Sequence, residues 1–286
     1  MSRTLYGAPV AEAIRAENTA RIAALRSRGI SPCLALLRAG ENGGSLSYER
    51  SALRECARLG IEARSVVLPE ESGTAALAAA LHTLSAEEAV HGILLLHPLP
   101  RGIDEAAACA ALRPEKDVDG VTDASLRRVF TGRGAGFCPC TPEAVLALLD
   151  HYGVALDGAH VAVIGRSLIV GKPLSLLLTG RGATVTLCHR RTRELAAVCR
   201  EAEVLISAAG APGLVDAAFT RVGQVVVDVG TTPDETGRLR GDVNFAALDG
   251  IAEAISPVPG GVGAITTAVL LRHVIEAAEL AAEDYA

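Results

Sequence analysis

Three stretches carry residue types that could grip a ligand. The first is His160-Val-Ala-Val-Ile-Gly-Arg-Ser-Leu-Ile-Val-Gly-Lys-Pro173. Its β-branched run, its turn at Gly165, Arg166 and Ser167, and its apolar stretch from about Val170 to Leu178 read as strand, turn and helix. That geometry aims free backbone N–H groups at a phosphate. The Gly-x-Ser-x-x-x-Gly spacing departs from Gly-x-Gly-x-x-Gly, so alone it suits a turn that binds nothing equally well. The other two, Lys116-Asp-Val-Asp-Gly120 and Pro257-Val-Pro-Gly-Gly-Val-Gly263, are too polar or too rich in glycine for ordinary connections. Cys138-Pro-Cys140 lacks the spacing of a redox pair, and no His cluster completes a zinc site, so no metal centre is expected.

The elements that must position these residues follow from the aliphatic patterning. The chain has 286 residues, 50% of them hydrophobic and only 3% aromatic, so its core is built from Leu, Val, Ile and Ala. That length accommodates two domains, or one large one. A net charge of −6 without a basic block argues against nucleic acid as a partner. Seven irregularly spaced cysteines predict reduced thiols rather than a disulfide framework. No apolar run approaches the roughly 18 residues of a membrane helix, and no signal peptide is visible, so a cytoplasmic protein without a membrane partner is expected.

Helices are predicted over Ala8–Arg28, Ser45–Leu59 (capped by Ser45 or Ser47) and Ser72–Leu84, alternating with strands at 33–37, 66–68 and 92–96. A helix opened by Thr141-Pro142 precedes a second set of strands at 160–164, 184–187, 203–206, 225–228 and about 251–255, and a long helix over 266–282 closes the chain. The fold class is α/β: two domains with a cleft between them, an N-terminal parallel α/β domain and a C-terminal Rossmann domain.

In this order, Tyr48, Pro98-Leu-Pro100, Lys116-Asp-Val-Asp-Gly120, Gly165-Arg-Ser…Gly171 and Pro257-Val-Pro-Gly-Gly-Val-Gly263 resemble the methylenetetrahydrofolate dehydrogenase/methenyltetrahydrofolate cyclohydrolase family. The resemblance implies a folate-binding domain over 1–140, completed by the helix 266–286, and an NADP-binding Rossmann domain over 141–265. It also implies tetrahydrofolate one-carbon derivatives as ligands, and a homodimer. Asp119 becomes the folate-site carboxylate, its two oxygens meeting the amino and ring N–H donors of a pterin. Without the motif it reads as a loop residue capping Gly120. Asp117 is expected to serve the turn. Tyr48 becomes the tyrosine that stacks on the ligand, rather than a half-buried helix residue. Pro257, Gly260 and Gly261 are expected to line the nicotinamide and pterin cleft. Gly165, Arg166, Ser167, Arg190 and Thr231 are expected at the cofactor, and Lys172 suits either phosphate contact or a helix face.

Two positions depart from the family pattern. The family's catalytic lysine, one helical turn after the tyrosine, is Ala52, and its glutamine partner is Leu96. His97 could stand in, but strand alternation turns it from the Leu96 side, and a structural role is expected. Hydride transfer from a methylene bridge removes no proton, whereas hydrolysis of the methenyl cation needs an activated water. A dehydrogenase with weak or absent cyclohydrolase activity is therefore predicted. The strand at 184–188 ends in His189-Arg190-Arg191, where NAD enzymes place an acid on the ribose; arginines suit the 2′-phosphate of NADP. The alternatives are a paralogue that binds folate or nucleotide without turnover, and a dehydrogenase for a different small substrate.

Overall fold

The computed structural model describes residues 1–283, folded as two units. One unit comprises 13–140 and the chain from Thr267 onward; the other comprises 1–12 and 141–266. Residues 1–12, expected with the N-terminal domain, fall with the second unit because strand Arg3–Thr4 adds in parallel to Ala254–Ile255 at the edge of its sheet.

The first of these units is built on a three-stranded parallel sheet. Cys33–Ala39 is its centre, Glu62–Leu68 flanks one side and Gly92–Leu95 the other. Cys33, Ala35, Leu37, Ile93 and Leu95 pack on Leu77, Leu81 and Leu84 of helix Thr74–Ala86. By strand alternation, Leu34, Leu36, Arg38, Leu94 and Leu96 occupy the opposite face. Helix Gly43–Leu59 presents a buried stripe of Ser45, Glu49, Ala52 and Cys56, spaced by three and four residues as one helix face requires. Its cap is Asn42, whose side chain accepts the Gly44 N–H, and neither serine expected for that role. Ser45 is engaged elsewhere: its hydroxyl donates to the His97 carbonyl at 2.8 Å.

The second unit holds a six-stranded parallel sheet in the order 3–4, 254–255, 225–228, 204–207, 160–164, 184–188. His160–Ile164 lies between the strands that follow it, Thr184–Cys188 and Val204–Ser207, so the strand order reverses there. That reversal opens a crevice at the carboxyl ends of the strands, the usual seat of a dinucleotide. Val161, Ala162, Val163, Leu205, Ile206, Val226 and Val227 are buried, consistent with a sheet covered on both faces. The helix Thr266–Glu283, which from Thr267 belongs to the first unit, carries a continuous buried surface from Thr267 to Leu271 and again from His273 to Ile275. No helix among the described residues is long and apolar enough to cross a membrane.

Candidate functional site

In the first unit the groups that act on Asp119 are Cys140, Asp117, His97 and His273. The loop that carries Asp119 is fixed by Asp117, which is fully buried and accepts hydrogen bonds from Val121 N, Thr122 N, Thr122 Oγ1 and Ser125 Oγ. Asp117 is thus a turn residue, as expected. Asp119 keeps partial solvent access, yet desolvation by the protein packed around its carboxyl pushes its pKa up to about 6. Asp117 adds to the rise, while a hydrogen bond with the Cys140 thiol and the nearby His97 and His273 oppose it. His273 is held in one tautomer, since its Nδ1 lies 2.8 Å from the Val118 carbonyl and must donate to it. Phe137 stacks on the same ring at 5.0 Å.

His97 is anchored at Nε2 to Glu105 Oε1, 2.9 Å away. That contact engages one of its two ring nitrogens. Tyr48 is half-buried on helix Gly43–Leu59, and Ala52, one turn further, is fully buried. Leu96 is 2% exposed, its N–H donating to the Leu37 carbonyl beside the sheet centre. Both positions where the resemblance implies a polar pair are therefore sealed apolar surface.

One feature of this unit escaped the sequence reading. Arg38 Nε meets Glu49 Oε2 at 2.9 Å, with side chains only 12% and 8% exposed. Glu49 interrupts the stripe Ser45, Ala52, Cys56 at helical spacing, and that charge on an otherwise small, weakly polar face was the available signal.

In the second unit a tight turn follows Ile164 and leads into the helix Gly171–Gly180. A Cβ on Gly165 would meet the Ala208 carbonyl oxygen at 2.2 Å, and one on Gly171 would meet the Gly165 oxygen at 1.9 Å. Only bare backbone closes this turn, so a dinucleotide's pyrophosphate can lie against it. The helix starts at Gly171, and Ser167 Oγ accepts the Val170 N–H at 3.1 Å. Ser167 therefore shapes the turn. Arg166, Lys172, Arg190 and Arg191 are exposed, and among the described residues the guanidinium groups of Arg166 and Arg190 have no hydrogen-bond or ion-pair partner. No carboxylate follows the strand Thr184–Cys188; His189, Arg190 and Arg191 do.

Thr231 is exposed just beyond the strand Val225–Asp228. Pro257 is half-buried, Gly260 exposed and Gly261 buried, and the Gly260 carbonyl accepts the Gly7 N–H at 2.8 Å. Two buried aspartates organise the same strand ends. Asp228 accepts from Gly230 N, Asp242 N and Val243 N; Asp242 accepts from Ser207 Oγ, Ala209 N, Gly210 N and Ala211 N. Neither role was legible beforehand. Residues of this unit, with Gly165, Arg166, Ser167, Arg190 and Thr231 at the carboxyl ends of strands, fit a dinucleotide with an extra phosphate.

Comparison with known proteins places this geometry. Residues 5–119 match the catalytic domain of tetrahydrofolate dehydrogenase/cyclohydrolase, and residues 139–282 match its NAD(P)-binding domain. Bifunctional protein FolD 1 of Rhodococcus jostii is 45% identical over 278 residues, covering 97% of this chain and 93% of its own. The FolD methylenetetrahydrofolate dehydrogenase/cyclohydrolase of Campylobacter jejuni superposes with a TM-score of 0.94 at 36% identity, covering 98% of this chain and 99% of its own. The Trypanosoma brucei enzyme, solved with NADP and an inhibitor, gives 0.93 at 36% identity, covering 98% of both chains.

Proposed function

The chain belongs to the tetrahydrofolate dehydrogenase/cyclohydrolase family, and from that premise we propose that it oxidises 5,10-methylenetetrahydrofolate to the methenyl cation with NADP, with weak or absent cyclohydrolase activity. The observation that carries this reading is the burial of Ala52 and Leu96, 0% and 2% exposed, where the resemblance implies a lysine and its glutamine.

When bound, NADP supplies the hydride acceptor. The residues of this chain bind and orient. The Asp119 carboxylate accepts from the pterin's N–H donors, the Tyr48 ring packs on the ligand, and Pro257, Gly260 and Gly261 border the reacting ends. Gly165, Ser167 and Gly171 form the phosphate turn, and Arg166 and Arg190 supply positive charge for the 2′-phosphate. Thr231 contributes backbone. Nitrogen lone pairs of the substrate stabilise the cation left by hydride loss, so positioning suffices for that step. Hydrolysis requires a group that activates water, and neither Ala52 nor Leu96 can do so.

The test is a pair of assays on the purified protein. Reduction of NADP by methylenetetrahydrofolate is expected, with NAD poorer. Methenyltetrahydrofolate hydrolysis is expected near background and to rise about a hundredfold in Ala52→Lys/Leu96→Gln, within the range of general acid–base catalysis. Brisk hydrolysis by the unaltered protein refutes the division of activities. Absence of any nicotinamide reduction favours the non-catalytic paralogue, for which the same sealed surface speaks.

A further inference from the structure

We propose that Arg38 and Glu49 form a preassembled hydrogen-bonding edge that reads a carbonyl lying beside an N–H, as the lactam edge of a pterin presents; this rests on the folate reading given above. Four observations support it.

The pair's position comes first. Arg38 stands at the carboxyl end of the central strand Cys33–Ala39. The next two strands lie on opposite sides of it, so this is the point where the sheet's strand order reverses. In open parallel sheets the ligand crevice opens there.

The company it keeps is the second. Glu49 neighbours Tyr48 in the chain and shares the buried helix stripe with Ala52. Leu96 and Arg38 lie on the same sheet face, on adjacent strands, with the Leu96 N–H bonded to Leu37. Ser45, one turn before Glu49, ties the helix to His97, one of the groups acting electrostatically on Asp119.

The third is energetic. Taking a guanidinium and a carboxylate out of water costs more than a single contact returns, and an apolar pair of similar volume would serve stability equally well. Structure alone does not call for the pair.

Its remaining valence is the fourth. Arg38 Nε is taken by Glu49 Oε2 and Nη1 by the Gly40 carbonyl. Among the described residues Nη2 and Glu49 Oε1 have no partner. Nε and Nη2 share one edge of the planar fork, so an open donor lies beside an open acceptor. A ligand carbonyl would accept from Nη2 while the adjoining N–H donates to Oε1. The pterin's amino group and its remaining ring N–H are then left to Asp119.

Glu49→Gln is the discriminating variant. The amide oxygen must face Arg38, which only donates, so the open position changes from acceptor to donor while the internal bond survives. The expected result is a tenfold or greater rise in KM for methylenetetrahydrofolate and in Kd for tetrahydrofolate measured by calorimetry, with KM for NADP unchanged and a lower Tm, because the Arg38 charge loses its buried counter-charge. Arg38→Met/Glu49→Leu supplies a second variant: Tm at or above the original, with the same loss of folate affinity. Folate KM and Kd within twofold of the original in both variants overturn the proposal. If the unaltered protein binds tetrahydrofolate but reduces no nicotinamide, the dehydrogenase reading falls, and Kd still decides this one. If it binds no tetrahydrofolate, the proposed edge falls as well.

Discussion

The carboxylate of Asp228 accepts the backbone N–H of Asp242 at 3.0 Å, and the carboxylate of Asp242 collects Ser207 Oγ and the N–H groups of Ala209, Gly210 and Ala211. The two acids form a relay from one strand end to the next. Its last link holds the Ala208 carbonyl against Gly165, where no Cβ fits. Desolvation pushes the Asp228 pKa up to about 6, against its three backbone donors.

Asp242→Ala should therefore loosen the phosphate turn without touching it. The buried Ser207 hydroxyl and three partly buried backbone N–H groups lose their acceptor at once, at a cost of about 3 kcal/mol. The urea midpoint should fall accordingly, and NADP affinity should fall with it while tetrahydrofolate affinity holds. Unchanged NADP affinity would show that the 208–211 segment does not shape the turn.

How much of this was legible in the sequence depends on whether a residue's role is local. The turn at Gly165, the strand ends and the helix boundaries are short-range patterns, and the structure follows them within a few residues: Gly7–Ser27 for a helix expected at Ala8–Arg28, and Val225–Asp228 as expected. The cap of helix Gly43–Leu59 was misplaced because Ser45 and Asn42 satisfy the same local rule, and the choice lies with His97, which is 52 residues from Ser45. Arg38 with Glu49, and Asp228 with Asp242, are encounters between elements. Nothing in either residue's own neighbourhood announces its partner. Asp119 was readable only through the motif around it; its thiol and imidazole neighbours, Cys140 and His273, come from distant segments.

Gly171→Ala tests the turn itself. The new methyl would fall on the Gly165 carbonyl oxygen, a backbone atom that cannot swing aside. NADP binding should drop at least about tenfold, a loss of about 1.4 kcal/mol or more. Tetrahydrofolate binding, proposed above for Asp119 and Tyr48 of the other unit, should be retained. Calorimetric titration with each ligand separates the two.

Arg190 tests the choice between cofactors. It follows the second strand of the nucleotide unit, is exposed, and faces no acid at that strand end. Removing a charge-assisted contact to a 2′-phosphate costs about 1.5–3 kcal/mol, whereas NAD has no such group to lose. Arg190→Ser should raise KM for NADP by roughly tenfold to a hundredfold and leave KM for NAD unchanged. Parallel shifts with both cofactors would assign the arginine to general electrostatics instead.

The raised pKa of Asp119 separates activity from stability along the pH axis. Its pKa stands at about 6 against the ordinary 3.8, so on acidification the folded protein takes up this proton before the unfolded chain does. Protonation therefore stabilises the fold, and that contribution is fully present below pH 3.8 and lost as pH rises through about 6. Ligand binding through the carboxylate runs the other way, because only the ionised form accepts from two donors. Below about pH 6, kcat/KM for the folate should fall tenfold per pH unit, while this residue's share of stability increases. Asp119→Asn should show a lower, flat kcat/KM over the same interval and lose the stability increment on acidification. A variant that keeps the original pH–rate profile would remove Asp119 from the binding step.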